Sequence, residues 1–89
     1  MKIYKFPLGP LEPEIPADRP LWVGLDPKTA EPAVWAEVPS DRAPAGMRLK
    51  VFGTGQEFDD NDMTYVGTVV GHAGVYVWHV YWAQSSENT

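Results

Sequence analysis

The sequence predicts an all-β fold, a single small antiparallel sheet or open barrel of about six strands with little or no helix. Three observations carry that expectation. No window of eleven residues holds the apolar i, i+3, i+4, i+7 stripe of an amphipathic helix without a proline or glycine breaking it. All nine prolines fall between Pro7 and Pro44, and proline is confined to strand edges, strand starts and turns, so the first half must be short strands on stiff connectors. The proline-free second half carries runs of β-branched and aromatic residues suited to continuous sheet.

In chain order, residues 2–6 read as an edge strand. Residues 21–25 and 33–38 read as strands around a turn that Asp26 and Pro27 open and that Pro32 keeps from becoming helical. Trp22 and Trp35 then sit on facing strands, placed to stack across this loose hairpin. One short turn fits residues 39–45. Met47, Leu49 and Val51 alternate with Arg48, Lys50 and Phe52, the pattern of a strand with one buried and one largely wet face. Residues 64–70 and 75–83 form a second hairpin around Gly71, His72, Ala73 and Gly74, and residues 84–89 are a polar tail. With 89 residues and no repeat or linker, residues 1–89 make one domain.

Composition removes several classes of function. There is no cysteine, hence no disulfide scaffold, thiolate metal cluster or nucleophilic thiol. Such a small core needs other help, and self-association into a homodimer is the cheapest candidate. The first residues carry charge and meet Pro7 at once, so no signal-peptide core is expected there. The weakly charged stretch 63–83 contains three glycines and two histidines and alternates like strands, so no membrane span is expected. A net charge of −5 has the wrong sign for gripping a phosphate backbone, so no direct nucleic-acid contact is expected either. An acidic surface can also act as a decoy for a protein that binds nucleic acid, although solubility alone accounts for it.

Ile3 Tyr4 Lys5 Phe6, Val34 Trp35 Ala36, Leu49 Lys50 Val51 Phe52 Gly53 Thr54 Gly55 Gln56, Tyr65 Val66 Gly67 Thr68 and Val77 Trp78 His79 Val80 Tyr81 follow one another in an order that resembles a family of short, uncharacterised bacteriophage proteins. The resemblance covers nearly the whole chain. The sequence departs from it in carrying Gln56 where histidine is common, and in a longer proline-rich opening and a polar tail. The resemblance implies a phage-encoded protein acting in the host cytoplasm, and it brings no established activity, cofactor or catalytic residue.

Four candidate sites are weighed on chemistry. Gly53, Thr54, Gly55 and Gln56 could turn the backbone sharply and present consecutive N–H groups to an anion, or simply form a bulge or strand exit. They lack the third glycine of a dinucleotide loop and the Lys-Ser/Thr of a phosphate loop. Glu57, Asp59, Asp60 and Asp62 form an acidic loop whose spacing fails the EF-hand pattern, so a solvated turn is expected and no metal site. His72 and His79 have no advertised third ligand or partner, and no serine has the glycine context of a nucleophile elbow. The last strand gives the strongest hint of interaction: Tyr76, Trp78, Val80 and Trp82 on one face and Val75, Val77, His79 and Tyr81 on the other are both largely apolar or aromatic, so both faces want cover, from a second copy or partner or equally from the chain's own strands in a curled sheet or small barrel.

The expected function is therefore a non-catalytic protein, without cofactor, that binds and modulates a host bacterial protein such as a component of antiviral defence. Gly53, Thr54, Gly55, Gln56, Trp78, His79 and Trp82 are the candidate partner- or ligand-binding residues. The alternative is a small-ligand binder that sequesters a nucleotide-like signal at the Gly53 turn. An enzyme pairing His79 with a carboxylate of the acidic loop comes third.

Overall fold

A computed structural model of the chain describes residues 1–8, 14–59, 62–71, 74 and 76–85. Seven strands follow one another: β1 (Lys2–Pro7), β2 (Glu14–Ile15), β3 (Arg19–Leu25), β4 (Pro32–Val38), β5 (Met47–Gly53), β6 (Thr64–Gly71) and β7 (Tyr76–Gln84). The fold is all-β and antiparallel, with no α-helix among the described residues. The strands divide into two sheets, in the orders β1-β4-β3 and β2-β5-β7-β6, and do not close into a barrel. The six expected strands are present within one or two residues of their expected ends. β2 is the addition, a two-residue strand on the edge of β5 that carries too little pattern to be seen in sequence. Gln84, the expected start of the polar tail, instead ends β7 opposite Met47. Residues 72, 73 and 75 of the second hairpin and 86–89 of the tail lie outside the described residues.

The two sheets share one core. Val23 and Val34 of the first sheet meet Met47, Leu49, Val69 and Val80 of the second, joined by Ile15 of β2 and by Ala17 from the crossover between β2 and β3. Met47, Leu49, Val34 and Val80 are fully buried, and each such side chain contributes roughly 1.5 to 3 kcal/mol when removed from water. The junction is made by β3 running against β6, where Gly67 is needed for close approach: a Cβ there would lie 2.8 Å from Cγ2 of Val23.

Surface devices fix the connections. Asp18 accepts from Arg42 and from the backbone N–H of Ala45 at 2.9 Å, pinning the 39–45 segment to the crossover. Arg19 donates twice to Glu37, its register partner across β3 and β4. Lys5 of β1 pairs at 2.6 Å with Asp26, the one buried charged residue among those described. Trp22 and Trp35, expected on facing strands, are register partners with ring centroids 5.1 Å apart and planes tilted by 51°.

Candidate functional site

Strand alternation sorts the side chains of β7 onto two faces. Val80 is in the core and Trp82 packs against it, while His79 and Tyr81 point to the outer face of the four-stranded sheet. The cover wanted by the last strand is thus met on one side by the first sheet and left to local side chains on the other.

On the outer face, His79 stands opposite Phe52 of β5 and Thr68 of β6. Its Nε2 is 2.8 Å from Thr54 Oγ1 and its Nδ1 is 3.0 Å from Thr68 Oγ1. Thr68 Oγ1 is in turn 2.5 Å from the Tyr65 hydroxyl. Hydroxyls donate or accept as needed, so either neutral tautomer of the imidazole is satisfied. With both ring nitrogens engaged, the histidine is oriented and tied to two strands and a turn. It has no nitrogen left over to take a substrate proton or hold a metal without breaking a bond already made.

Beside this polar chain lies a cluster of four rings. Phe58 stacks on Phe52 with centroids 4.0 Å apart and planes 18° from parallel. Tyr81 meets Phe58 at 5.1 Å and Tyr65 at 5.4 Å. Phe52, expected on a wet face, is buried because Phe58 folds back over it from the acidic segment. Phe58 and Tyr65 remain 42% and 52% exposed, enough to offer aromatic area to a partner.

The Gly53 to Gln56 segment is a closed turn. The Gln56 N–H donates to the Gly53 carbonyl at 3.1 Å, and the Gln56 side chain returns to accept from the Gly53 N–H at 2.9 Å. Gly55 has φ of 88°, the conformation that glycine supplies at the third position of a type II turn. Two of the four amides that would cradle an anion are therefore spent inside the turn. Its outward contribution is the Thr54 hydroxyl on His79.

The structure thus brings together Gly53, Thr54, Gly55, Gln56 and His79 and sets Trp78 and Trp82 on the other side of the sheet. Trp78 lines a recess of about 270 Å³ with Leu25, Pro32, Val69 and Gly71. Sequence reasoning missed Tyr65, Thr68 and Phe58 as members of the outer site. Tyr65 and Thr68 were legible only in registration with His79, and Phe58 belongs to no strand. Glu57, Asp59 and Asp62 are exposed, and no group of three or more His, Cys, Asp or Glu able to hold a metal occurs among the described residues.

A family model described as a domain of unknown function, DUF7352, matches residues 1–89. The chain belongs to this family. Its match spans the strands of both sheets. No curated protein and no solved structure matches this DUF7352 chain. Among its described residues no helix is long and apolar enough to cross a membrane.

Proposed function

We propose that the chain is a non-catalytic binding protein, phage-encoded and acting in the host cytoplasm as the resemblance implies, that docks a host protein on the outer face of β5, β7 and β6. A component of antiviral defence is the target class we favour. The observation that supports this reading most is the pairing of half-exposed Phe58 and Tyr65 with the ordered Tyr65, Thr68, His79, Thr54 chain. Aromatic side chains are enriched at the cores of protein interfaces, and tyrosine is among the residues that dominate their binding energy. His79 is hydrogen-bonded to the hydroxyls of Thr54 and Thr68 and not to a described carboxylate of the acidic segment, so an enzyme built on a His79–carboxylate pair has less support. A nucleotide-like ligand at the Gly53 turn has less support, because that turn uses its own amides internally.

The test is capture of host proteins on the tagged chain, run in parallel with Phe58→Ala and with Ile3→Ala on the opposite sheet. The expected result is one stoichiometric partner whose affinity falls by about 2 kcal/mol or more with Phe58→Ala, as at interface hot spots, and is unchanged with Ile3→Ala. An identified partner that binds both variants equally would move the site elsewhere. Capture of nothing would set the host-protein reading aside.

A further inference from the structure

On β4, Val34 and Ala36 enter the core, so Ala33, Trp35 and Glu37 face outward by strand alternation. Register then sets three rows across the outer face of the first sheet: Glu37 beside Arg19, Trp35 between Lys5 and Trp22, and Ala33 between Pro7 and Gly24. Trp22 is 58% exposed, with Trp35 tilted against it. Its six-membered ring rests on Gly24, where a Cβ would collide with Cη2, Cζ3 and Cζ2. Gly24 has no left-handed φ, so the backbone does not call for glycine there. The seat of the indole does. Glycine weakens a strand interior and often marks a close approach, and here it holds an exposed aromatic ring in one place.

Ion pairs flank the two tryptophans. Arg19 forks onto Glu37 at 2.9 and 3.3 Å, and Lys5 meets Asp26 at 2.6 Å. In each pair the cation is the more exposed member, so it keeps N–H donors beyond those given to the carboxylate. Open recesses lie on either side of the aromatic pair. One of about 360 Å³ is bordered by Trp22, Gly24, Thr68 and Val70, and one of about 310 Å³ by Lys5, Asp26, Pro7 and Thr29. The face is a shallow trough with an aromatic middle and hydrogen-bonding margins.

We infer that this face binds a neutral oligosaccharide, one pyranose ring stacking on Trp22 while its hydroxyls bond to the Arg19–Glu37 and Lys5–Asp26 pairs. The inference is independent of the host-binding reading, which uses the other sheet. Charge and shape name the occupant. The two ion pairs cancel each other's charge, and the chain carries −5, so a nucleic-acid strand or other polyanion is repelled. A cation meets Arg19 and Lys5, the exposed members of their pairs. The core of a protein interface is depleted of charge, whereas here charged groups border the aromatic pair on both sides. An uncharged ligand with an apolar face and a hydrogen-bonding rim fits all three conditions. A gluco-configured pyranose has that form: axial C–H bonds make its faces and equatorial hydroxyls its rim. Those C–H bonds, slightly positive, suit the negative face of an indole. The recesses extend the trough past a single ring, so a β-linked oligomer, which runs straight and flat, fits better than a monosaccharide.

Titration of the full chain with cellotetraose, a β-linked glucose oligomer, and with chitotetraose, its N-acetylglucosamine counterpart, tests the site by tryptophan fluorescence and calorimetry. The expected result is saturable binding of at least one of the two. Trp22→Ala removes an exposed ring, and its expected effect is a loss of affinity of about tenfold or more with unchanged far-ultraviolet circular dichroism. Gly24→Ala keeps the indole but unseats it, and should weaken binding in the same direction. Phe58→Ala, on the other sheet, should leave it unchanged. Adenosine offers a flat ring to stack without a pyranose and should not compete. No saturable binding of either oligomer, binding that survives Trp22→Ala, or adenosine bound as tightly as the oligomers would overturn the inference.

Discussion

Ala30 shows what a single residue decides in this fold. The turn between β3 and β4 closes when the Asp26 carbonyl accepts the Ala30 N–H at 2.7 Å and the Glu31 carbonyl accepts the Asp26 N–H at 2.8 Å. The Asp26 side chain adds a bond from the Lys28 N–H at 2.9 Å, the Asx geometry for which aspartate is favoured at turn starts. That path requires φ of 60° at Ala30, a left-handed conformation that costs a residue with a Cβ about 1 to 2 kcal/mol. Ala30→Gly removes the cost while adding back some unfolded-state freedom. The net expectation is a gain of about 0.5 to 1 kcal/mol, read as a melting temperature a few degrees higher. His79 illustrates the complementary case. Its identity was visible in the sequence as a polar residue in an aromatic strand, but its partners are 25 and 11 positions away and appear only when β5 and β6 are laid on either side.

At the scale of elements, the connections are held by ion pairs, and these make the fold sensitive to acid. Hydrogen bonding from Arg42 lowers the pKa of Asp18, aided by the Ala45 N–H. The Lys5 ammonium does the same for Asp26, aided by the Lys28 N–H, and Arg19 lowers Glu37. Each group therefore binds its proton less tightly in the folded chain than in the unfolded one. Stability from these pairs is fully present above the ordinary carboxylate pKa of roughly 4 and is lost as pH falls through that value toward the lowered ones. Chemical denaturation midpoints at pH 7 and pH 3 measure the loss. Asp18→Asn should lower the midpoint at pH 7 and shrink the difference between the two pH values, because it removes one carboxylate from the linkage. The elements concerned are β1, the β3–β4 hairpin and the 39–45 segment, so the first sheet and its crossover should loosen before the second.

The whole molecule depends on the junction of its two sheets. β3 and β6 belong to different sheets and share no ladder, so their contact is set by side-chain size alone. Gly67 lets Val23 reach the backbone of β6. Gly67→Ala should destabilise the fold by roughly 1 to 3 kcal/mol through overpacking, seen as a reduced urea midpoint. Val23→Ala leaves room for the added methyl, so the double substitution should lose less than the two single effects summed. A simple sum would mean that the two residues do not meet across the junction.

The sequence by itself determined the strands. Period-two alternation, the placement of prolines and the turn at Asp26 are local quantities, written in neighbouring residues, and they located six strands and their antiparallel sense, although Gly71, expected in the second turn, ends β6 opposite Tyr76. It also set Trp22 and Trp35 on facing strands of the first hairpin, and the structure makes them register partners. Only the tertiary structure decided that the strands separate into two sheets, that β2 exists, and that the inner face of β7 is covered by the first sheet while Phe58 folds over the outer one. Those choices rest on contacts between residues far apart in the chain, Val23 with Gly67 and His79 with Thr54, whose energies no local pattern encodes. For the same reason the seven candidate residues divide between two faces. Adjacent positions on a strand point in opposite directions, so Trp78 and His79, neighbours in sequence, serve different surfaces of the molecule.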